Sequence, residues 1–178
     1  LRALLDLRRE GRVSEIGVGV NSPAAVSRML QFAYRYKAEA AALGGEDASR
    51  PCLDSIMFAN SWNLLDHSSE AQELLEVCYR QGTRVHLGGC FASGVLVGGR
   101  TYRYQVLAED SEIMLRVRQW AALADRYNSS LPALAVGFCL LRKEVEAICI
   151  GVRNNEELDQ VIEWMKQSQL IPSELWRE

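Results

Sequence analysis

The sequence lacks several features that would assign it to particular classes of protein. Histidine occurs twice in 178 residues, and no two of the five cysteines have CxxC spacing, so we predict no metal site. The longest apolar run, Leu131 to Leu141, is too short to span a bilayer and contains Pro132. No basic segment followed by an apolar one opens the chain, so we predict no secretory signal.

The charge and the cysteine content indicate which partners and which cellular location to expect. A net charge of −3 gives no reason to expect binding to nucleic acid or to an anionic membrane. An odd number of cysteines without paired spacing is typical of reduced thiols, so we expect a cytoplasmic protein. Apolar residues make up 48% and charged residues 24% of the chain, as in ordinary globular domains, and one domain is expected for this length.

The chain begins inside a helical pattern. Leu1, Leu4 and Leu5 have helical spacing, and two arginines precede Gly11, which is a typical helix end. Because the first residue is not methionine and already belongs to this pattern, we expect further chain before it.

Four apolar runs alternate with helical patterns along the rest of the chain. Strands are predicted over Val13 to Val20, Leu53 to Asn60, Thr83 to Leu87 and Ala147 to Ile150. Helices are predicted from Pro23, over Ala71 to Tyr79, Ile113 to Ala124, Leu131 to Leu141 and Leu158 to Met165, with a polar loop over Gly44 to Pro51. This alternation is typical of a parallel sheet with right-handed crossovers, whose strands are apolar on both faces.

Ligands of parallel α/β folds bind at the carboxyl ends of the strands, so the loops after the strands are candidate sites. The segment Gly151 to Glu157 leads from the last strand into a helix. Gly151 permits close approach to the backbone, the helix N-terminus favours an anion, and Arg153 could bind a phosphate. The alternative is purely structural, because Asn154 and Glu157 have capping-box spacing.

The glycine-rich segment Gly88 to Gly99 is a second candidate. Its N–H groups could hold a pyrophosphate, although it matches neither the GxGxxG nor the P-loop pattern, and the alternative is a flexible surface loop. His67 and Asp66 form a candidate ion pair in the loop after the second strand. Cys90 has no recognisable His or Asn partner, so we predict no nucleophile there.

Five segments, taken in order, carry motifs of one family. They are Gly11 to Asn21, which ends I-G-V-G-V-N; Ala59 to Asp66, A-N-S-W-N-L-L-D; Gly88 to Leu96, G-G-C-F-A-S-G-V-L; Ile150 to Leu158, I-G-V-R-N-N-E-E-L; and Ile171 to Trp176, I-P-S-E-L-W. These segments resemble the aldo-keto reductase family, and most closely its sugar dehydrogenase branch, which acts on D-threo-aldoses, L-fucose or L-galactose.

The resemblance implies a fold and a division of roles. The family fold is a parallel (β/α)8 TIM barrel, and the four strand–helix units match its last four, so residues 1–178 would form a C-terminal half. The family's catalytic Tyr, Asp, Lys and His belong to the first half, so no catalytic residue is assigned here. We therefore expect the chain to need the N-terminal half-barrel as a partner and to be inactive without it.

The resemblance also implies a cofactor, NAD or NADP, bound by loops of this half. Asn21 would lie near the nicotinamide carboxamide, while Gly88 and Ala59 replace an aromatic residue and a glutamine that contact the nicotinamide in many members. The other implied cofactor-binding residues are Gly89, Phe91, Ser93 and Gly94 at the pyrophosphate, and Gly151, Val152, Arg153 and Asn154 at the adenosine phosphate and ribose. Glu157 stands where NADP-using members place an arginine. Because a carboxylate repels a 2′-phosphate and accepts a hydrogen bond from a ribose hydroxyl, we favour NAD, although Arg153 favours the phosphate.

The implied reaction of the full-length protein is hydride transfer between the nicotinamide and an aldose, or another carbonyl or alcohol substrate. Two alternatives stay open. The chain could be a truncated or degenerate fragment without catalysis, or an open flavodoxin-like domain that binds a phosphorylated ligand. Consecutive strand order 1-2-3-4 supports the half barrel, and order 2-1-3-4 supports the open fold.

Overall fold

A computed structural model describes residues 1–42 and 50–177. The helices are α1 (Arg2–Arg9), α2 (Pro23–Ala42), α3 (Ser69–Arg80), α4 (Glu112–Arg126), α5 (Leu131–Leu140) and α6 (Asn155–Ser168). The strands are β1 (Gly17–Val20), β2 (Ser55–Ala59), β3 (Arg84–Gly88), β4 (Thr101–Tyr102), β5 (Gln105–Val106) and β6 (Val145–Cys149). Short 3₁₀ segments span Ala92–Val97 and Ser173–Arg177. The loop predicted over Gly44 to Pro51 lies almost wholly outside the described residues.

Four strands form one parallel sheet in the order β1-β2-β3-β6. Val18 pairs with Ile56, and Ile56 pairs with Val85, so the first three strands are in continuous register. The β6 strand joins β3 with an irregularity between Val85 and His86. The four predicted strands are therefore consecutive neighbours, which confirms the parallel α/β prediction. The flavodoxin-like alternative, with order 2-1-3-4, is wrong for this sheet.

The third strand–helix unit contains an element that the sequence did not predict. Strands β4 and β5 form a small antiparallel hairpin whose turn residues, Arg103 and Tyr104, have φ of 46° and 67°. Two successive left-handed residues are typical of a type I′ turn, which usually carries Asn or Gly. The hairpin, α4 and α5 all lie between β3 and β6, so this connection is much longer than the others.

The sheet buries only one of its two faces. In β2, Ile56 and Phe58 are fully buried against the helices, whereas Ser55, Met57 and Ala59 are only half-buried. The register places the residues of this second face beside one another on neighbouring strands. The prediction of strands apolar on both faces is therefore wrong in part, because the second face mixes the apolar Met57, Ala59 and Ala147 with Ser55, Arg84 and His86.

Polar side chains begin the helices at the predicted positions. At α5, Ser130 Oγ accepts a hydrogen bond from the Ala133 N–H (3.4 Å), and Pro132 lies in the first turn. At α6, Asn154 Oδ1 accepts a bond from the Glu157 N–H (2.8 Å). These bonds satisfy donors that the first turn of a helix leaves without an intrahelical partner.

Two apolar clusters form the core. The first packs α1, α2 and α3 against the sheet and includes Leu5, Val26, Ile56, Phe58, Leu75 and Leu87. The second packs α4 and α5 against both 3₁₀ segments and includes Leu64, Leu96, Val117, Leu134 and Leu175. Phe91 and Phe138 contact both clusters, so the loop that follows β3 is anchored between the two halves of the core.

A buried ion pair attaches α1 to the sheet. Arg8 Nη1 lies 2.9 Å from Asp54 Oδ2, and both side chains are almost fully buried. The same carboxylate accepts a hydrogen bond from the Ile16 N–H (2.8 Å) and pairs with the half-exposed Arg50 at 3.4 Å. Burial would raise the pKa of Asp54, but the bonds from Ile16 and Arg8 and the charge of Arg50 together hold that pKa below its usual value.

Helix α6 packs less completely than its sequence pattern predicts. Of the stripe Leu158, Val161, Ile162 and Met165, only Val161 is buried, and each of the other three is more than 40% exposed. Among the described residues, no helix is both long enough and apolar enough to cross a membrane.

Candidate functional site

A cavity of about 320 Å³ opens where the loop after β6 meets the loop after β3. One wall comes from the segment that enters α6, and the other comes from Phe91 and the end of the first 3₁₀ segment. The lining residues are Phe91, Val97, Gly151, Val152, Arg153, Glu157, Gln160, Val161 and Trp164. The two loops that the sequence singled out as candidate sites therefore lie face to face at the carboxyl edge of the sheet.

The charged end of this cavity is an ion pair between Arg153 and Glu157. Glu157 Oε1 accepts a bond from Arg153 Nε (2.8 Å) and a second bond from the same guanidinium, while Oε2 accepts from the Arg153 N–H (2.8 Å). Glu157 therefore does not complete the predicted capping box, because its carboxylate reaches the residue before the cap and not Asn154 itself. The cap bond from Asn154 is present.

This ion pair also shifts the titration of both groups. The side-chain hydrogen bond from Arg153, helped by the bond from the Arg153 N–H, lowers the pKa of Glu157. The hydrogen bond to Glu157 raises the pKa of Arg153. Both groups are charged at neutral pH, and their charges largely cancel at this end of the cavity.

The segment after β3 has an unusual backbone. Gly89, Ala92, Ser93 and Gly94 all have positive φ, between 47° and 99°. Ser93 Oγ accepts a hydrogen bond from the Arg103 N–H (3.2 Å), which ties this segment to the β4–β5 hairpin. Left-handed residues other than glycine are uncommon and cluster at functional positions. The segment is thus tied to the hairpin, and its Ala92, Val95 and Leu96 are buried, so it is not the surface loop considered from sequence.

The two glycines that follow Leu87 sit against the neighbouring strand. A Cβ built at Gly89 would lie 2.2 Å from Asn60 Oδ1, so only glycine fits beside that side chain. A Cβ built at Gly88 would lie 3.2 Å from the Cβ of Ala59. A side chain at position 88 would therefore require the neighbouring Ala59 to shift by a few tenths of an ångström.

Asn21 lies in a different, more polar cavity of about 530 Å³. The lining residues are Asn21, Ser22, Pro23, Ser61, Leu65, Asp66, His67, Ser68, Glu70, Arg103 and Arg116. Ser61 Oγ donates to the Asn21 carbonyl (2.7 Å), so the loops after β1 and β2 are linked directly. This cavity joins three connections: the loop after β1, the loop after β2 and the β4–β5 hairpin.

Asp66 binds two side chains of the β4–β5 hairpin at this second cavity, and His67 is not among its partners. Its Oδ1 accepts bonds from the Tyr102 hydroxyl (2.8 Å) and Arg103 Nη2 (2.7 Å). His67 Nδ1 instead lies 3.0 Å from the Asn63 carbonyl. The predicted Asp66–His67 ion pair is therefore wrong, because the hairpin, unpredicted from sequence, supplies the partners of Asp66.

The structure brings together some of the predicted cofactor-binding residues and separates others. Phe91, Gly151, Val152, Arg153 and Glu157 share the first cavity, and Asn21 lines the second. Five others line neither of these two cavities: Gly88, Gly89, Ser93, Gly94 and Asn154.

Sequence reasoning missed Gln160, Val161 and Trp164 as cavity residues. Their spacing from Glu157 (i+3, i+4 and i+7) places them on one face of α6, and this spacing is the signal that could have found them. The helix predicted over Leu158 to Met165 was recognised from apolar residues such as Leu158 and Ile162, which lie on a different face.

The cysteines offer no activated nucleophile. Four of the five are buried, and only Cys149 is exposed. Burial raises the pKa of Cys78 and of Cys90 to about 12, so neither carries a thiolate at neutral pH. Within residues 1–42 and 50–177, no three His, Cys, Asp or Glu side chains are grouped so as to hold a metal ion.

A family model described as "Aldo/keto reductase family" matches residues 1–176 of the chain. The chain belongs to this family. Among curated proteins, it is similar to the pyridoxal 4-dehydrogenase of Microbacterium luteolum, with 31% identity over 177 residues, 98% of this chain and 46% of that protein. It is also similar to the D-threo-aldose 1-dehydrogenase of a Pseudomonas species, with 28% identity over 179 residues, 99% of this chain and 48% of that protein.

The chain thus spans about half the length of the curated aldo/keto reductase relatives it matches. Among solved structures, it is similar to an aldo-keto reductase from Bacillus halodurans in its holo and apo forms. The holo form gives a TM-score of 0.60 at 18% identity and covers 98% of this chain and 54% of that one. This likeness shows the fold alone: an α/β architecture with a parallel sheet.

Proposed function

We propose that this chain is the cofactor-binding, C-terminal half of an NAD(P)-dependent oxidoreductase and corresponds to the last four units of a (β/α)8 barrel. The observation that carries the proposal is the first cavity, where the entry to α6 faces Phe91 across the edge of the sheet. Parallel α/β folds bind nucleotides at this edge. The consecutive order of the four strands supports the half barrel.

The residues of the first cavity fit an adenosine phosphate. A Cβ built at Gly151 would meet no atom within 4 Å, so a ligand can approach the backbone there. The N-terminus of α6 lies beside it and favours a phosphate. At the other end of the dinucleotide, the motif resemblance assigns the nicotinamide carboxamide to Asn21, which lines the second cavity.

The cofactor, when bound, supplies hydride exchange at the nicotinamide C4, and the contribution of this chain is to bind and orient it. The catalytic Tyr, Asp, Lys and His would come from a first half-barrel, which is the proposed partner. We propose a small carbonyl or alcohol substrate, an aldose in particular. The names of the two relatives, a pyridoxal dehydrogenase and a D-threo-aldose dehydrogenase, support this class. The five free thiols support a cytoplasmic location.

We further propose that the site prefers NAD to NADP. In the structure, Glu157 binds the Arg153 guanidinium at two of its nitrogens, so this arginine is already committed to a carboxylate. A 2′-phosphate would have to displace Glu157 and then lie beside its negative charge. An unphosphorylated ribose meets no such repulsion, and its hydroxyl can donate to the carboxylate.

The proposed function is tested by nucleotide binding and by turnover, measured separately. Isothermal titration of the 178-residue chain with NAD⁺ should show binding, and the chain alone should not oxidise aldoses or pyridoxal. A chimaera that places the chain behind the first four strand–helix units of the Microbacterium luteolum relative should recover turnover. Absence of NAD⁺ and NADP⁺ binding in both proteins would refute the proposal and favour the degenerate-fragment alternative.

The cofactor preference is tested by Glu157→Gln, with Glu156→Gln as the matched control. Both variants lose one carboxylate from the first turn of α6, but only the first releases Arg153. The freed guanidinium can then bind a 2′-phosphate, and no carboxylate repels that phosphate, so Glu157→Gln should raise the affinity for NADP⁺ relative to NAD⁺. Equal ratios in the two variants would show that the ion pair does not set the preference.

A further inference from the structure

The first cavity contains a tryptophan that lies outside both core clusters. Trp62 belongs to one core cluster, and Trp120 and Trp176 contact the other, whereas Trp164 contacts neither. Trp164 is half-buried on α6 and lines the cavity. A large aromatic side chain that the core does not require, placed at the wall of a cavity, is a common feature of ligand sites.

Trp164 and Phe91 together form an aromatic corner. Their ring centroids lie 5.4 Å apart with an interplanar angle of 79°, so the edge of one ring meets the face of the other. Phe91 is fixed in this position because it packs on both core clusters. A planar group that stacks on one ring of such a corner meets the second ring at its rim, which favours flat, apolar ring systems over sugars.

We propose that Trp164 is the face on which the adenine base of the dinucleotide stacks. The inference rests on the proposed function and extends it to a residue that no cofactor motif of the sequence identified. The charged end of the cavity, at Glu157, fits the ribose. Glu157 lies one turn before Gln160 and two turns before Trp164 on the same face of α6. Ribose at Glu157 and base at Trp164 therefore follow one another along the helix.

Gln160 gives the corner a polar group beside the proposed base. Its side-chain amide carries both a donor and an acceptor, and adenine offers both along its edge. Gln160 is exposed and lines the same cavity, so its amide can reorient to match. The aromatic corner supplies affinity for any flat base, and the amide favours a base with paired donor and acceptor groups.

The test compares Trp164→Leu with Trp164→Phe in the 178-residue chain. Leucine keeps an apolar side chain and phenylalanine keeps a flat ring. The two variants therefore distinguish stacking of the base on a ring from apolar packing of position 164 against Phe91. Loss of base–aromatic stacking weakens binding by about 1–3 kcal/mol, which is roughly five- to 150-fold. We expect a tenfold or greater loss of affinity for NAD⁺ and for ADP-ribose with Trp164→Leu, and a loss below about threefold with Trp164→Phe.

Two controls make the result specific to the base. Nicotinamide mononucleotide lacks adenine, so its affinity should not respond to either variant. Met165→Ala removes an exposed apolar side chain from the next position of α6 and should leave all affinities unchanged. Thermal unfolding of each variant, followed by circular dichroism, shows whether the chain remains folded.

The outcomes separate this inference from the proposed function. If the parent chain binds NAD⁺ and Trp164→Leu binds it equally well, the stacking role is wrong while the cofactor site stands. If Trp164→Leu and Trp164→Phe lose affinity equally, the ring has a shape-specific role and not a stacking one. If the parent chain binds no adenine nucleotide, the proposed function fails and the inference fails with it.

Discussion

The buried pair between Arg8 and Asp54 should be the most sensitive polar contact in the molecule. The Asp54 carboxylate accepts from Arg8 and from the Ile16 N–H, and the pair joins α1 to the strand region. Asp54→Asn keeps the size of the side chain but removes its charge. The Arg8 guanidinium then loses the carboxylate that it contacts at 2.9 Å, while the amide can still accept from Ile16.

The size of the effect follows from burial. Removing one partner of a buried ion pair costs about 3–5 kcal/mol. Arg50 approaches the other oxygen of the same carboxylate at 3.4 Å, but its side chain is 38% exposed, and such pairs contribute about 0–1 kcal/mol. Arg50→Gln is therefore the matched control, since it removes a cation from the same carboxylate at little cost.

The pH dependence gives an independent check. Because the folded-state pKa of Asp54 is depressed, its stabilisation is present above the unfolded value of about 3.9 and is lost as pH falls through the folded value. The difference in the free energy of unfolding between the parent and Asp54→Asn should therefore be largest at pH 7. It should shrink steadily below about pH 4, where the unfolded parent binds a proton at Asp54 that the folded parent takes up only at lower pH.

Urea unfolding, followed by tryptophan fluorescence at pH 7 and at acid pH, measures these differences. If Asp54→Asn is too unstable to purify, the double variant Arg8→Met, Asp54→Asn should restore folding, because it also removes the buried positive charge of Arg8. The reasoning is refuted if Asp54→Asn and Arg50→Gln cost the same, or if the effect of Asp54→Asn does not change between pH 7 and acid pH.

Three further predictions follow from the fold. Ser130→Ala should lower the free energy of unfolding by about 1 kcal/mol in urea titrations, because it removes the α5 cap and the 2.9 Å bond to Gln167; no change would exclude a capping role. Gly89→Ala should cost more than Gly82→Ala in the same assay, because both have φ near 70° but only Gly89 faces Asn60; equal costs would show that the contact is not limiting. A thiol reagent at pH 8 should label Cys149 quickly and the other four cysteines only on unfolding, since burial raises the pKa of thiols such as Cys78 and Cys90; fast labelling of a second thiol in the native chain would contradict this.

The strands and helix starts could be predicted because their signals are local. A β-branched run such as that ending at Val20, or a serine and a proline at the start of α5, determines backbone conformation within a few residues. The hairpin could not be predicted in this way. Its turn residues, Arg103 and Tyr104, are not the asparagine or glycine that such turns favour, and the hairpin is stabilised by a distant partner, Asp66.

In the candidate site, too, the locally determined features could be predicted and those set by distant contacts could not. The motif around Gly151 predicts the start of a helix and one wall of the cavity, and it can be recognised from consecutive residues alone. The wall formed by Gln160 and Trp164 depends on which face of α6 turns toward Phe91, and that is decided by packing between distant segments. The pairing of Glu157 with Arg153 also escapes the motif, because capping-box spacing predicts a bond to the cap residue and not to its neighbour.

The strand order has a consequence for how the molecule opens. Only β2 and β3 have a neighbour on each side within the described sheet, so their amide protons should exchange with solvent most slowly. The loop that carries Phe91 grows from one of these protected strands, whereas the loop that carries Gly151 grows from the rim strand β6. The Phe91 wall of the cavity is thus attached to the slowest-exchanging strands of the described sheet. The Gly151 wall follows an edge strand and can open locally without unfolding the rest.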